Sequence, residues 1–352
     1  MNLAYFISSL NFGGAEKQTI LDANLMVREN KVFLFYFIDG PQKEIVDNRV
    51  VLVKLTKKNY LITARNLAKI INQERIQIIH SSLFASMIIS VVSSFFCKVN
   101  VVWHFHSHEF ELPWSHKMAY MVLAHLPRLK KICFVNEELI YSYRERGFKF
   151  PKRKFRLLYN NATFHATKLK AKNDSNIVIG YIGRLVSLKR VEYLIDLAKY
   201  LINKQYSGFN ILIVGDGDQY EFLVQETKKF NLENYITFAG FQNNVERYYN
   251  EFDIFINPSQ EECLSIALID AGISGIPSVA FDVGGNNEII INAHTGYIVK
   301  SKEELFNRVL FLINNENICT EMATNAKEHC QKHFSEESHF EELKVLYKEV
   351  LV

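Results

Sequence analysis

Short apolar segments alternate with helix-like segments along this chain, and this alternation limits the fold more than any other feature. The apolar segments, such as VFLFYFI at 32–38 and FNILIVG at 209–215, are runs rich in β-branched and aromatic residues. Strands of this kind are buried on both faces, as in parallel sheets covered by helices. The alternation weakens over residues 150–176, which are basic and polar, and then resumes. The sequence therefore predicts an α/β protein with two doubly wound, Rossmann-like domains.

The polar stretch is the best candidate for a boundary between domains. We assign residues 1–165 to a predicted N-terminal domain and residues 166–334 to a predicted C-terminal domain. A length of 352 residues agrees with two domains, since one domain takes about 100–200 residues. Ligands of doubly wound sheets bind at the carboxyl ends of the strands, so we expect the two domains to face a central cleft lined by strand-end loops.

Composition excludes several classes of protein. No signal-peptide pattern is present, and the longest apolar run, residues 83–97, is shorter than the about 20 residues that span a membrane. That run therefore predicts a packed helix. Five cysteines without a CxxC pair indicate reduced thiols rather than disulfides or a zinc site. We expect a cytoplasmic protein.

Charge is distributed unevenly along the sequence. Residues 1–172 hold 26 Lys and Arg against 12 Asp and Glu, although the whole chain has a net charge of only +3. A basic domain favours an anionic partner, such as a membrane surface, a lipid-linked substrate or a nucleic acid, or it is a solvated surface. No zinc spacing or RNP-like motif supports nucleic acid. Peripheral contact with the inner face of the cytoplasmic membrane is the partner prediction that follows.

Four charged residues follow strands of the second half. Arg184 and Lys189 could together hold a phosphate group, or they could be solvated cations before a helix. Glu262 lies on a loop, and Asp270 lies eight residues later on the following helix. A loop carboxylate can accept paired hydrogen bonds from vicinal hydroxyls, and a helix start between the two acids favours an anion. The alternative is that both are capping or surface acids.

Two patterns in the second half resemble a metal-binding motif and a dinucleotide-binding motif, but we assign neither function to them. Asp216–Gly217–Asp218 has the form of a metal-binding DxD motif, but we interpret it as a strand-to-helix turn in which Asp caps the helix. The same stretch is a weak dinucleotide fingerprint, because Tyr220 takes the place of its third glycine.

The first half contains two candidate ligand-binding patterns, a pair of glycines and a group of three histidines. Gly14 follows Gly13 between a strand and a helix, where the backbone can approach a phosphate closely. His104, His106 and His108 share one face if the chain is extended there, which would suit a metal, but no carboxylate spacing supports that reading. One polar histidine that faces the cleft is the more modest interpretation.

Together these motifs resemble the retaining GT-B-fold glycosyltransferases of family 4, which include transferases of bacterial capsule, O-antigen and lipopolysaccharide. The resemblance covers nearly the whole chain, and residues 335–352 resemble the helix that crosses back to the first domain. The matching motifs are Gly13–Glu16, Gly183–Leu185 with Lys189, Gly215–Gly217, FAGF at 238–241, the E-x7-E region from Pro258 to Pro277, and Gly284–Gly285 with Glu288.

The resemblance implies a donor site in the second domain. By its pattern, Arg184 and Lys189 neutralise the diphosphate of a nucleotide diphosphate sugar. Glu262 holds the hydroxyls of the transferred sugar, and the amides of Leu264 and Ser265 hold its phosphate.

Further roles follow from the same resemblance. Asp270 would hold the ribose, Gly240 and Phe241 would lie near the base, and Gly14 would approach the phosphates. His106 would stand beside the sugar and the acceptor. The implied reaction retains configuration, uses a UDP-sugar or next a GDP-sugar, and needs no metal or other cofactor. The implied acceptor is a glycan or a lipid-linked glycan of bacterial surface polysaccharide biosynthesis.

This sequence also departs from the family pattern. Asp270 replaces a glutamate, Cys263–Ser265 replace a turn that contains glycine, and Arg190 and Asn161 stand where glycines are usual. These departures motivate an alternative, an inactive partner or chaperone of another glycosyltransferase. A nucleotide-sugar epimerase is a third interpretation, and a nicotinamide oxidoreductase is the weakest.

Overall fold

The computed structural model describes residues 1–107, 112–164 and 176–352 of the chain. The described residues divide into two units: unit 1 is Met1–Asn160 with Glu336–Val352, and unit 2 is Asn161–Ser335. The predicted boundary at 165 and 166 lies outside the described residues, and so does His108.

Unit 1 is built on a seven-stranded sheet in the order β3-β2-β1-β4-β5-β6-β7. Every neighbouring pair is parallel, so helices must connect the strands. Its strands are β1 (Asn2–Phe6), β2 (Lys31–Tyr36), β3 (Val51–Lys54), β4 (Ile78–Ser82), β5 (Asn100–Phe105), β6 (Leu129–Phe134) and β7 (Phe155–Leu157). Its helices are α1 (Gly14–Met26), α2 (Tyr60–Gln73), α3 (Phe84–Ser93), α4 (Trp114–Leu123), α5 (Glu137–Glu145) and the terminal α13 (Glu336–Leu351).

Unit 2 repeats this architecture with six parallel strands in the order β10-β9-β8-β11-β12-β13. Its strands are β8 (Ile177–Ile182), β9 (Phe209–Val214), β10 (Ile236–Gly240), β11 (Ile254–Asn257), β12 (Ser278–Phe281) and β13 (Gly296–Val299). Its helices are α6 (Glu192–Asn203), α7 (Tyr220–Lys229), α8 (Glu246–Tyr249), α9 (Ile266–Ile273), α10 (Asn286–Ile289), α11 (Lys302–Asn314) and α12 (Glu316–Phe334). Two doubly wound parallel sheets confirm the predicted fold class.

Local sequence explains where several helices begin. Asn59, Asn136 and Ser301 are the N-caps of α2, α5 and α11, and each side chain accepts a hydrogen bond from the backbone N–H three residues on. Such caps satisfy a donor that the first helical turn leaves free, and each contributes about 1 kcal/mol.

The longest apolar run of the sequence forms α3. Seven of its ten residues are buried, and this confirms the prediction of a packed helix. Among the residues that the structure describes, no helix combines the length and the hydropathy needed to cross a membrane.

The terminal helix α13 belongs to the core of unit 1. Leu343, Leu346 and Val350 are buried in the same apolar cluster as strands β1, β2 and β4. The hydroxyl of Tyr347 lies 2.7 Å from the hydroxyl of Tyr5 and 2.7 Å from Nδ1 of His80. Each fully buried leucine stabilises the fold by about 1.5–3 kcal/mol.

A buried polar cluster fastens α13 to α1 as well. Nε2 of His339 lies 2.8 Å from Oδ1 of Asp22, and Nε2 of Gln18 donates to the same oxygen over 2.7 Å. Burial alone would raise the pKa of the Asp22 carboxyl, but His339 and Gln18 hold it below its usual value. A buried carboxylate with these partners keeps its charge.

Candidate active site

The strongest cluster of the predicted site residues lies at the carboxyl end of the unit 2 sheet. Nζ of Lys189, on the loop after β8, lies 2.6 Å from Oε1 of Glu262, on the loop after β11. Their side chains are only 17% and 14% exposed. The carboxyl ends of parallel strands are where doubly wound sheets bind ligands. Glu262 is therefore not a surface acid, and it is joined to a predicted phosphate-binding cation.

Two residues that were not predicted hold Glu262 in place. The hydroxyl of Ser259 donates to Oε1 of Glu262 over 2.9 Å, and Nδ2 of Asn257 donates to it over 3.2 Å. The same amide of Asn257 donates to Oγ of Ser265 over 3.0 Å. One buried amide at the end of β11 thus joins the loop acid to the start of α9.

Helix α9 begins directly after this loop. Ser265 is its N-cap, and its hydroxyl accepts a hydrogen bond from the N–H of Leu268. Leu264 and Ser265, whose amides were predicted to hold phosphate, are both buried. Free N–H groups and the helix dipole make such a helix start a favourable place for an anion.

A glycine supports the same loop from the turn after β12. Gly284 has φ +54°, in the left-handed region that favours glycine. A Cβ at this position would collide with the carbonyl oxygen of Glu262. The N–H of Gly285 donates to the carbonyl of Cys263 over 2.6 Å. The Gly284–Gly285 turn therefore packs against the loop that holds Glu262 and is hydrogen-bonded to it.

The loop after β8 has an unusual backbone at Arg190. Arg190 follows Lys189 with φ +48°, a left-handed conformation that costs a non-glycine residue about 1–2 kcal/mol. Its guanidinium carbon lies 5.8 Å from the ring centroid of Tyr193 and 5.9 Å from that of Phe281. These contacts between a cation and aromatic rings offset part of the cost.

Arg184 lies earlier on the same loop, and its side chain is exposed. Its carbonyl accepts a hydrogen bond from the hydroxyl of Tyr181 over 3.1 Å. Burial raises the pKa of Tyr181, and the charge of Glu262 raises it further. Tyr181 therefore acts as a neutral donor that fixes the backbone of the loop.

The end of β10 holds the two residues predicted near the base. Gly240 has φ +65°, and its carbonyl accepts a hydrogen bond from the N–H of Gly215 over 2.9 Å. Phe241 is the next residue, and about half of its side-chain surface is exposed. This partly exposed ring lies at the same edge of the sheet.

Asp270 has a different environment from the one expected of a ribose ligand. It lies on α9 and is 2% exposed. Its Oδ1 accepts a hydrogen bond from the backbone N–H of Thr163 over 2.7 Å, and its Oδ2 accepts one from the hydroxyl of Thr163 over 2.8 Å. The structure thus joins this carboxylate to another part of the chain, and its role toward ribose stays a prediction.

The Asp216–Gly217–Asp218 segment lies between β9 and α7, which confirms the predicted turn. The predicted capping by aspartate is wrong, because Gln219 occupies the N-cap of α7 without a side-chain bond. Oδ1 of Asp216 instead accepts the N–H of Gly217 over 2.7 Å. Among the residues that the structure describes, no three His, Cys, Asp or Glu side chains form a metal-binding group.

In unit 1, Gly14 is the first residue of α1. A Cβ added at Gly14 would meet no atom within 4 Å, whereas one at Gly13 would collide with the Glu16 carboxylate. Because the Glu16 side chain is flexible and the space at residue 14 is open, packing does not explain why residue 14 is glycine. The backbone of Gly14 is open to a close neighbour.

His106 follows β5, and its ring lies 3.9 Å from the ring of His104, centroid to centroid. Burial lowers the pKa of His106 to about 4, although Asp22 and Asn160 oppose the fall. Burial also lowers the pKa of His104 well below its usual value, and Nε2 of His104 lies 3.2 Å from the carbonyl of Leu158. At neutral pH the His106 imidazole is uncharged and can accept or donate a hydrogen bond.

Two family models match this chain. The model of "Glycosyl transferases group 1" matches residues 164–329, and the model of "Glycosyltransferase Family 4" matches residues 12–161. Together these segments account for most of the chain, which therefore belongs to the family 4 glycosyltransferases with the GT-B fold. The protein is a glycosyltransferase.

Relatives and solved structures agree with this assignment. An uncharacterized glycosyltransferase of Haemophilus influenzae is 24% identical over 92% of this chain and 94% of its own. The UDP-Gal:alpha-D-GlcNAc-diphosphoundecaprenol alpha-1,3-galactosyltransferase of Escherichia coli is 23% identical over 94% of this chain and 90% of its own. The structure of Anabaena HepE in complex with UDP superposes with a TM-score of 0.87 at 18% identity, over 99% of this chain and 100% of HepE.

Proposed function

We propose that this enzyme transfers a sugar, with retention of configuration, from a UDP-sugar to a lipid-linked or glycan acceptor in the synthesis of bacterial surface polysaccharide. The observation that carries the proposal is the pair of Lys189 and Glu262 beside the start of α9. The relative from Escherichia coli uses UDP-galactose and a diphosphoundecaprenol-linked acceptor by its name, and HepE was solved with UDP. These favour a UDP-sugar over a GDP-sugar.

The donor diphosphate needs positive charge as the glycosidic bond breaks. Lys189 and Arg184 supply two cations, and the amides of Leu264 and Ser265 at the start of α9 supply oriented donors. Charge that is already in position stabilises the leaving diphosphate without reorganisation at the moment of reaction. We therefore propose that the reaction proceeds without a bound metal or other cofactor.

Glu262 is suited to hold the transferred sugar. Three donors from Lys189, Ser259 and Asn257 converge on its Oε1. None of the hydrogen bonds among the described residues reaches its Oε2, and that oxygen would accept the sugar hydroxyls. A carboxylate that is fixed by three hydrogen bonds loses little conformational freedom when the sugar binds. The binding energy of the sugar can therefore be used to orient the sugar for the reaction.

The remaining residues have supporting roles in this proposal. Phe241, beside Gly240, offers its exposed ring to the base, and the open backbone at Gly14 lets a phosphate approach the start of α1. A neutral His106 would bond a hydroxyl of the sugar or the acceptor. With retention, the leaving phosphate helps to deprotonate the acceptor, so no enzymic nucleophile is required. We place the enzyme in the cytoplasm, in peripheral contact with the inner face of the membrane.

A thermal-shift panel of UDP, GDP, ADP and CMP tests the donor site. A nucleotide at about 100 times its dissociation constant stabilises the folded state by about 2.7 kcal/mol, which raises the melting temperature by about 5–10 °C. We expect UDP alone to give this shift and Lys189→Ala to remove it. Lys229→Ala is the matched control, because Lys229 also pairs with a glutamate, Glu226 at 2.7 Å, but on an exposed helix.

The outcome separates the enzyme from the alternative of an inactive partner. A shift with UDP that survives Lys229→Ala and is lost in Lys189→Ala supports the donor site. If none of the four nucleotides shifts the wild-type protein, the inactive partner becomes the better account. Retention is then tested with the matching UDP-sugar, by NMR of the anomeric configuration of the product.

A further inference from the structure

Basic residues of the first half form clusters at 54–58, 128–131 and 149–154 in the sequence, and members of these clusters have different environments in the structure. Nζ of Lys131 lies 2.6 Å from Oε2 of Glu349 on α13. Lys154 is buried, and its ammonium donates to the carbonyls of Ala124 and Leu126. Neither of these two cations is available to a partner. Unit 1 as a whole still carries 25 Lys and Arg against 17 Asp and Glu, a net charge of +8.

One group of cations without an ion pair among the described residues surrounds α2 and α3. Residues 48–107 contain eight Lys and Arg but only one acid, Glu74, and Lys31 lies 2.7 Å from that carboxylate. Within the part of the chain that the structure describes, no ion pair involves Lys57, Lys58, Arg65, Lys69 or Lys98, and all five are exposed.

Large apolar side chains are exposed beside these cations. Phe95 is 64% exposed and Phe96 is 39% exposed, directly after α3. Leu61 is 47% exposed and Ile62 is 40% exposed on the first turn of α2. The guanidinium carbon of Arg65 lies 5.1 Å from the ring centroid of Phe96, which joins the two groups into one surface. We name this surface the α2–α3 patch; it consists of Lys58, Leu61, Ile62, Arg65, Phe95 and Phe96.

The patch has the composition of a surface that lies on a bilayer. Lys and Arg attract anionic headgroups, and aromatic and aliphatic side chains enter the boundary between headgroups and acyl chains. A surface for nucleic acid would instead offer its aromatic rings as stacking platforms along a basic groove. Branched aliphatic residues such as Leu61 and Ile62 add nothing to stacking, but they add apolar area that a bilayer can bury.

We propose that the α2–α3 patch binds the surface of an anionic phospholipid bilayer. The biological purpose of this contact rests on the proposed function, because an acceptor attached to a lipid is found only at a membrane. The cations give attraction that salt screens, and the apolar side chains give binding that persists at high salt. The two contributions can therefore be measured apart.

Vesicle co-sedimentation of the full chain tests the proposal. The probes are vesicles of phosphatidylcholine alone and of phosphatidylcholine mixed with phosphatidylglycerol. We expect binding to the mixed vesicles only. Since each cation near the surface contributes about fivefold in affinity, Lys58→Gln with Arg65→Gln should weaken binding about 25-fold at low salt. Phe95→Ser with Phe96→Ser should remove the binding that remains at high salt.

A matched control carries the same change of charge elsewhere. Lys228→Gln with Lys229→Gln removes two exposed cations from α7 in unit 2, and we expect it to bind vesicles like the wild type. Equal loss in this control, equal binding to both kinds of vesicle, or binding to RNA without binding to vesicles would each overturn the proposal.

The response to UDP, measured on the same preparations, keeps the two proposals apart. None of the substituted residues belongs to the candidate active site, so the patch variants should keep the wild-type thermal shift and melting temperature. A normal UDP shift in a wild-type protein that binds no vesicles refutes the patch and leaves the donor site intact. Specific binding to anionic vesicles without any nucleotide shift supports the patch and refutes the donor site.

Discussion

Replacing Thr163 by valine removes one of the two hydrogen bonds that Thr163 makes to the buried carboxylate of Asp270. The threonine hydroxyl donates to Oδ2 over 2.8 Å, while its backbone N–H donates to Oδ1 over 2.7 Å and is unaffected by the change. Valine has nearly the shape of threonine, so the packing should stay. A hydrogen bond to a charged group contributes about 1.5–3 kcal/mol, and we expect the free energy of unfolding of unit 2 to fall by that amount.

Differential scanning calorimetry is the suitable assay. Both tryptophans, Trp103 and Trp114, lie in unit 1, so tryptophan fluorescence does not follow unit 2. For a unit of this size the expected loss lowers the melting temperature by about 3–12 °C. Thr324→Val is the control, because that hydroxyl donates only to the carbonyl of Thr320 on the exposed side of α12. We expect it to change stability by less than about 0.5 kcal/mol.

The same pair decides whether Asp270 can serve the ribose. The resemblance to family 4 enzymes assigns its carboxylate to the ribose hydroxyls, but in this structure Thr163 occupies both oxygens. We expect Asp270→Asn to weaken the binding of UDP and of 2′-deoxy-UDP equally, through the loss of order around α9. A selective loss of UDP binding in Asp270→Asn, together with a fully stable Thr163→Val, would refute this reasoning.

Two further predictions concern buried polar groups. Asn257→Leu removes the amide that bonds both Glu262 and Ser265, and we expect transfer to slow by about 10–100-fold while the UDP shift persists; an unchanged rate would contradict a positioning role. Burial lowers the pKa of His80 and of His106 to about 4, below the about 6.5 of the unfolded chain. The unfolded chain therefore takes up these protons first, so the stability that these two histidines contribute to unit 1 is lost as the pH falls below about 6.5, by about 2–3 kcal/mol per pH unit near pH 5. Urea unfolding followed by tryptophan fluorescence checks this, His80→Asn should reduce the slope, and a flat profile would count against it.

The fold could be predicted from the sequence because each strand is marked by its own run of apolar residues. Strands such as β2 and β5 are buried along nearly their whole length, and this burial produces the apolar runs that mark them. Loops such as those of Lys189 and Glu262 follow the strands, so their position at one edge of the sheet also follows from the alternation.

The partners of individual side chains could not be predicted in the same way. Thr163 and Asp270 are 107 residues apart in sequence, and no periodicity reports such a pair. The acids of α13 lie in the acidic half of the sequence but neutralise cations of unit 1, as Glu349 does for Lys131. Of these partners, only Asn257 had a signal in the sequence, because it is the one polar residue of the apolar strand IFIN.

The departures from the family pattern bear on whether the site remains active. The left-handed backbone of Arg190 is unfavourable, but its guanidinium lies near two aromatic rings that offset part of this cost. Where the family has a glycine-containing turn, Ser265 caps α9 and is bonded by Asn257. Asp270 is shorter than glutamate by one methylene, and its oxygens meet Thr163. Two of the departures adjoin the pair of Lys189 and Glu262: Arg190 directly follows Lys189, and Ser265 is bonded by the same amide of Asn257 that bonds Glu262. The departures change residues around the pair of Lys189 and Glu262, but the pair itself is present. This favours altered contacts with the donor over a loss of catalysis.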